Sequence, residues 1–478
     1  MNAEANHMKR DTLFGGRAES ATGSGYESPR SIAAASGPNS AAGRSSHKLA
    51  FAGLFVFTLL LYARPQELFS QSLGELPLVK LVALGTLVAY VAGKSIARER
   101  LTIWPLEMKM LALIVVLGIV FAPIAFRPQR SIDMLTDTFL KVIIIFILMI
   151  NLLNTTKRLH SMMRLVVCCG LLIALITIKN YFTGELDVTH VSRTGHALDV
   201  GEFFDNSNEL ALTLDLIMPF AVVFAVIGKG LARIAYSACA ALMAIGAIIT
   251  FSRGGFLGLV SMGGVLLWKL GRGKRMSMTL AALVLVAAFA CMMPSGYSDR
   301  IFTILHPKED TTNSAQERQL LLERGLEVAL HHPIIGIGMA NFYEYSPNGR
   351  VAHNSYLEVA SELGVAGLIA YLTFLIAPFR SLKRVERETL DAEERARELY
   401  CLSVGLQAVM VAFMVCSFFV STQYFWHPYY IVGYSIALRR IHASEFPIDQ
   451  PDAAKETAAR ITEGALWKIT RTARLLSL

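Results

Sequence analysis

"RVAHNSYLEVASELGVAGLIAYL", residues 350–372, starts as a polar loop, passes through His353 and becomes a helix apolar enough to cross a bilayer. Within it "SYLE", residues 355–358, has the S-x-x-E spacing of a capping box. That spacing predicts a helix start at Ser355 and leaves His353 on the membrane surface just ahead of it. Which surface this is depends on the rest of the chain.

Composition limits the class. Of 478 residues, 54% are hydrophobic and 17% are charged, too little polar surface to cover ordinary soluble domains. The expected fold class is all-α, a polytopic integral membrane protein. Apolar runs long enough to cross the hydrocarbon core recur about twelve times. They fall near residues 49–63, 76–93, 106–126, 133–153, 162–182, 209–227, 231–251, 254–270, 276–294, 355–379, 399–420 and 425–438. Basic residues mark alternate connections: Lys94, Arg98 and Arg100; Lys157, Arg158 and Arg164; Lys229 and Arg233; Lys269, Arg272, Lys274 and Arg275; Arg380, Lys383, Arg384 and Arg387. The positive-inside bias then puts both termini in the cytoplasm.

The chain divides accordingly. Residues 1–48, rich in Ser, Gly, Ala and Asn, are expected to be a disordered cytoplasmic tail. Residues 49–294 carry the first nine helices and an outer loop at 183–208. Residues 295–354 form the largest outer loop, and 355–440 the last three helices. In the cytoplasmic tail 441–478, Ile461, Ala465, Ile469, Ala473 and Leu476 recur at helical spacing beside Lys468, Arg471 and Arg474. That pattern suits a helix on an anionic leaflet, or a frayed tail. All six cysteines lie in expected spans and read as small apolar side chains. No Asp-x-Asp pair is present, so neither a metal nor a cofactor is expected.

The outer connections hold the candidate chemistry. In "SAQERQLLLERGLEVALHHPIIGIGMANF", residues 314–342, helical spacing puts Arg318, Leu322, Leu326 and Ala329 on one face and Glu317, Arg324 and Glu327 on another. Arg318 on an apolar face calls for an anionic partner, or snorkels past that face. Pro333, Gly336 and Gly338 are expected to end the helix in turns. "FFDNSNELALTLDLIMPF", residues 203–220, sets Asn206 three residues before Glu209, a cap-like helix start that includes Asn208. "TFSRGGFLGL", residues 250–259, puts Arg253 in a tight outer turn, with Gly254 and Gly255 expected to relieve backbone strain. "HVSRTG" adds Arg193. Guanidinium forks at an outer surface can grip a phosphate, or simply snorkel. A helix N-terminus opposes protonation of His353 and keeps a neutral imidazole able to accept a proton. Glu358 and Glu362 lie one turn apart beneath it. Glu358 can cap the helix; Glu362 can orient His353 or pair with an arginine.

In order, "SRTG" with "NSNELA", "FSRGGFLGL", "ERQLLLERGLEVALHHPIIGIGMANF" and "HNSYLEVASELGVAGLIAYL" resemble the bacterial O-antigen ligase and O-antigen polymerase superfamily of membrane glycosyltransferases, over residues 193–377. The family often has Trp where this chain has Leu322. The resemblance implies a GT-C-like fold in the bacterial inner membrane, with the site and the large helical loop facing the periplasm. It implies a glycan donor on undecaprenyl diphosphate and an acceptor such as lipid A core or another glycan, with membrane lipids but no nucleic acid as further partners. Arg193, Arg253 and Arg318 would bind the diphosphate, with His353 as base or acceptor-orienting group. Asn206, Asn208, Asn354, Glu358 and Glu362 would contact substrate. A ligase is favoured over a polymerase or a protein O-glycosylation ligase. A transporter or flippase would instead show repeated halves and ionisable groups at midplane; no repeat is evident.

Overall fold

A computed structural model describes residues 41–63, 78–183, 207–271, 276, 314–390 and 394–446. The described residues form helices and no strands. In chain order the main helices are α1 (Ala41–Tyr62), α2 (Leu78–Ile96), α3 (Leu106–Phe121), α4 (Pro128–Leu152), α5 (Thr156–Thr183), α6 (Ser207–Ile227), α7 (Gly230–Ile249), α8 (Arg253–Leu270), α9 (Ser314–His331), α10 (Ser355–Thr389), α11 (Glu394–Cys416) and α12 (Trp426–Glu445). Eight of the described helices are long and apolar enough to cross a membrane. Each expected span coincides with a helix except the ninth, residues 276–294, which beyond Met276 lies outside the described residues. Residues 1–40 and 447–478, with the proposed C-terminal amphipathic helix, also lie outside them. α1 starts at Ala41, within the stretch expected to be tail.

Burial separates central from peripheral helices. The apolar window of α6 is 83% buried and that of α2 only 17%. A helix apolar all round and enclosed on most sides is a core helix, whereas one that keeps its apolar face exposed is left to lipid.

Ion pairs close one end of the bundle. The wholly buried Glu107, at the start of α3, receives Arg439 of α12 in a fork, with Nη1 at 3.0 Å and Nη2 at 3.3 Å. Lys269 of α8 pairs with Glu386 of α10 and donates to Gln407 of α11 at 2.9 Å. These residues lie on the expected inner side. At the opposite end gather the segments expected outside: the α3–α4 connection, the start of α8, the α9 region, the start of α10 and the α11–α12 connection.

At that end α10 is broken. Gly364 has φ 65° and ψ −171°, a conformation open essentially to glycine alone. The extended segment after α9 fills the break: Val365 donates to the Pro333 carbonyl at 2.8 Å, Ile337 to Ser361 at 3.0 Å and Gly338 to Glu362 at 3.0 Å. A Cβ on Gly336 would lie 2.1 Å from the Glu362 carbonyl oxygen. Interrupted helix backbone at membrane depth survives where neighbouring protein satisfies it. The sequence therefore needs both glycines, one to turn the span and one to let a second backbone reach it. The turns expected at Pro333, Gly336 and Gly338 are in fact this inserted segment.

Candidate functional site

The start of α10 is tied to the α11–α12 connection, residues 417–425. Ser355 donates its backbone N–H to Ser417 (2.9 Å) and its hydroxyl to Val420 (2.7 Å), and its oxygen accepts from the Thr422 N–H at 3.0 Å. The helix begins where the sequence predicts, but the cap differs. Asn354, buried, accepts from the N–H groups of Tyr356 (3.1 Å) and Leu357 (3.0 Å), so Ser355 is free to act as a tether. The Glu358 carboxylate accepts from the Ala352 N–H at 3.1 Å and from the Ser421 hydroxyl. Glu362, fully buried, accepts from the Tyr424 hydroxyl at 2.9 Å and the Phe342 N–H at 3.3 Å. Among the described residues Glu362 makes no ion pair with an arginine, so that expectation gives way to a hydroxyl and an amide.

These carboxylates face a cavity of about 420 Å³, whose wall also includes Arg130, Asp137, Tyr343, Val351 and Gln423. Its remaining side comes from the start of α4, where Met134–Phe139 forms a π-helical turn, a feature common at functional sites. Arg127 and Arg130 both reach Glu344, at 3.2 and 3.1 Å, and the Arg130 guanidinium lies 4.3 Å from the Tyr343 ring centre. Asn341 locks this corner, accepting from the Arg127 N–H at 2.8 Å and donating to Ser131 at 2.9 Å.

His353 lies two residues beyond the cavity-lining Val351 and follows Ala352, whose N–H meets Glu358. Its φ of 49° is left-handed, a conformation histidine tolerates better than most residues, though at a cost. Burial, and then the Arg318 and Arg350 guanidiniums, push its pKa from 6.5 down to about 4. Burial and two cations, rather than the helix start, favour the neutral imidazole. Arg350 pairs with Glu317 at 2.8 Å, on the residue preceding Arg318. α9 thus brings Arg318 beside His353. The expected apolar face of α9 is wrong, however. Leu322 and Leu326 are 47% and 50% exposed, while Leu321 and Val328 are buried.

Arg253 opens α8 behind an N-cap made by Ser252, which accepts from the Gly255 N–H at 3.0 Å and donates to Asn208 at 2.7 Å. The left-handed residue of this turn is Phe251, not a glycine. Gly254 and Gly255 are instead helical and needed for packing, since a Cβ on either would meet Phe419 at 2.7 Å or Ala211 at 2.4 Å. Arg193 and Asn206 lie outside the described residues. The structure therefore joins Arg318, His353, Asn354, Glu358 and Glu362 in one neighbourhood. Gly254, the residue after Arg253, packs against Phe419 of the 417–425 segment.

Several residues escaped the sequence reading. "RPQRSIDMLTDT", residues 127–138, sets two arginines ahead of two aspartates at an expected outer span boundary, a signal that was available. Asp215, eight residues into α6, lies 3.8 Å from Cys416, and its Oδ1 has no hydrogen-bond partner among the described residues. Not every ionisable group therefore sits at the outer surface.

Comparison with known proteins bears on this geometry. Residues 238–372 match the O-antigen ligase family. The matched stretch contains Arg253, Arg318, His353, Asn354, Glu358, Glu362 and both glycines of the α10 break. Arg130, Asn208 and the 417–425 segment lie beyond it. The match bears out the resemblance seen in the motifs and supports a membrane enzyme of the O-antigen ligase or polymerase type. No curated protein matches the chain. Among solved structures, a chain from one described as "Structural coordination of polymerization and crosslinking by a peptidoglycan synthase complex" is similar at 18% identity and a TM-score of 0.39, over 72% of this chain and 98% of that one.

Proposed function

We propose that this protein is an O-antigen ligase-like glycosyltransferase that moves a glycan from undecaprenyl diphosphate to an acceptor hydroxyl, lipid A core being the favoured acceptor, on the periplasmic face of the bacterial inner membrane. The observation carrying this reading is that the Arg318 and Arg350 guanidiniums act on one buried imidazole, His353, which lies two residues from the cavity-lining Val351. In the step proposed, the acceptor oxygen attacks the anomeric carbon and its proton passes to His353. The bond from that carbon to the phosphate oxygen breaks, with inversion, and the lipid diphosphate leaves. Arg318 and Arg253, with Arg193 in the outer loop, stabilise the charge on the leaving group in place of a metal, and no ATP is consumed.

An imidazole with a pKa of about 4 is a poor base. Burial is the larger cause of that low value, and bound diphosphate would offset the smaller share that comes from Arg318 and Arg350, so the basicity of the imidazole would rise with donor binding. Asn208, Asn354, Glu358 and Glu362 shape the site around it, and Asn206 would join them from the neighbouring loop.

The test mixes the purified full chain, lipid-diphosphate-linked glycan and either lipid A core or a second lipid-linked repeat, with excess chelator, and resolves products on gels. Glycosylated lipid A core is expected. Chain growth alone would make the protein a polymerase. Movement of the donor across vesicles with no new glycosidic bond would make it a carrier and end the proposal.

A further inference from the structure

The cavity beside His353 is the wrong place for a diphosphate. Asp133, Asp137, Glu358 and Glu362 line it, against the single guanidinium of Arg130, which is already paired with Glu344 and laid over Tyr343. An anion entering would meet the exposed carboxylates of Asp133 and Asp137 at short range, with Arg130 already paired. A sugar suits the same wall: carboxylates accept from hydroxyls, and the rings of Tyr343 and Phe425 can cover its C–H faces. A second observation points to a missing donor. Gln423 lines the cavity, is 3% exposed, and its Oε1 has no hydrogen-bond partner among the described residues. A buried carbonyl is normally satisfied, and here a hydroxyl from inside the cavity would satisfy it.

We propose that this cavity is a subsite for a neutral or amino sugar bearing several free hydroxyls, gripped by Asp137, Glu358 and Gln423, and that it rejects acidic sugars. The subsite rests on the glycosyl-transfer reading for its role in catalysis, but its binding chemistry stands by itself. The sugar can come from the donor glycan or from the acceptor, since both present the same hydroxyls.

Saturation-transfer NMR on the full chain in lipid nanodiscs tests the binding, using methyl glucoside, glucosamine and glucuronate as probes. The first two should bind and glucuronate should not. Asp137→Asn, at an exposed position that leaves packing intact, and Gln423→Leu should each weaken methyl glucoside binding by about tenfold, the value of one ligand hydrogen bond. Equal binding of glucuronate, or unchanged binding by Asp137→Asn, overturns the subsite. In the transfer assay, Asp137→Asn should raise KM for whichever substrate brings the sugar, donor or acceptor, and leave the other. Transfer with both KM values unchanged removes the subsite while transfer itself stands. Sugar binding that follows these rules in a protein without transferase activity keeps the subsite and removes the transfer reading.

Discussion

The two ends of the bundle bury the same functional group in different company. At the expected inner end, Glu107 is gripped by Arg439 and Glu386 by Lys269. At the outer end, Glu358 and Glu362 are just as deeply buried, yet hydroxyls and backbone amides hold them. Of the cations of that end, Arg127 and Arg130 pair with Glu344, and Arg318 and Arg350 act on His353. A carboxylate closed by an ion pair is finished with its chemistry and serves the fold. One held by neutral donors beside an open cavity keeps acceptor capacity for something else.

The comparison breaks first at His353. His353→Ala should lower transfer by about 100-fold or more, the contribution of a general base, with melting temperature little changed; near wild-type transfer would remove the assigned role. The next effect belongs to the inner end. Glu107→Gln leaves Arg439 without its counter-charge and should cost about 3 kcal/mol of stability, seen as a lower melting temperature, while transfer per folded molecule is retained. If Glu107→Gln instead abolished transfer in folded protein, the two ends would not differ as argued. Gly364→Ala comes third, at about 1–3 kcal/mol for a side chain in a glycine-only conformation, read by thermal unfolding together with proteolysis of the α9–α10 segment.

The smallest effect is on pH dependence. In the proposed mechanism the neutral form of His353 is the active one, so kcat/KM should fall as pH drops through the free-enzyme pKa of about 4. Below pH 6.5 the unfolded chain takes up a proton that the folded site refuses, so stability declines from about 6.5 to about 4 and the loss is complete below that. Arg318→Ala removes one of the opposing charges and should move the acid limb of kcat/KM to higher pH. An unmoved limb would mean that the guanidinium does not act on the imidazole.

Much of this was legible in the chain. Bilayer thickness sets helix length so tightly that hydropathy finds the spans, and the S-x-x-E stretch placed the start of α10 at Ser355. The cap itself was not legible, because Asn354 and Ser355 are adjacent and both are good capping residues. The face of α9 misled for a related reason. "QLLLERGLEVAL" offers two apolar stripes one residue apart, and periodicity cannot say which meets protein. The cavity could not be read at all, since segments near residues 134, 343, 358 and 423 meet only through tertiary packing. Arg318 and His353 were singled out in the sequence because guanidinium and imidazole at an expected outer boundary are chemically conspicuous, whereas Gln423 is ordinary until its carbonyl is seen to lack a donor.

The seam between Pro333–Gly338 and the break in α10 has a mechanical consequence. Three main-chain bonds rivet the loop to the span, so α9 has no independent swing below Pro333. Any outward motion that admits a bulky carrier must take its fulcrum at His331–His332, or else drag the Glu362 turn of α10 along as a lever. Spin labels placed on α9 and on α10 would then report widening distances above the rivets and a constant spacing across them.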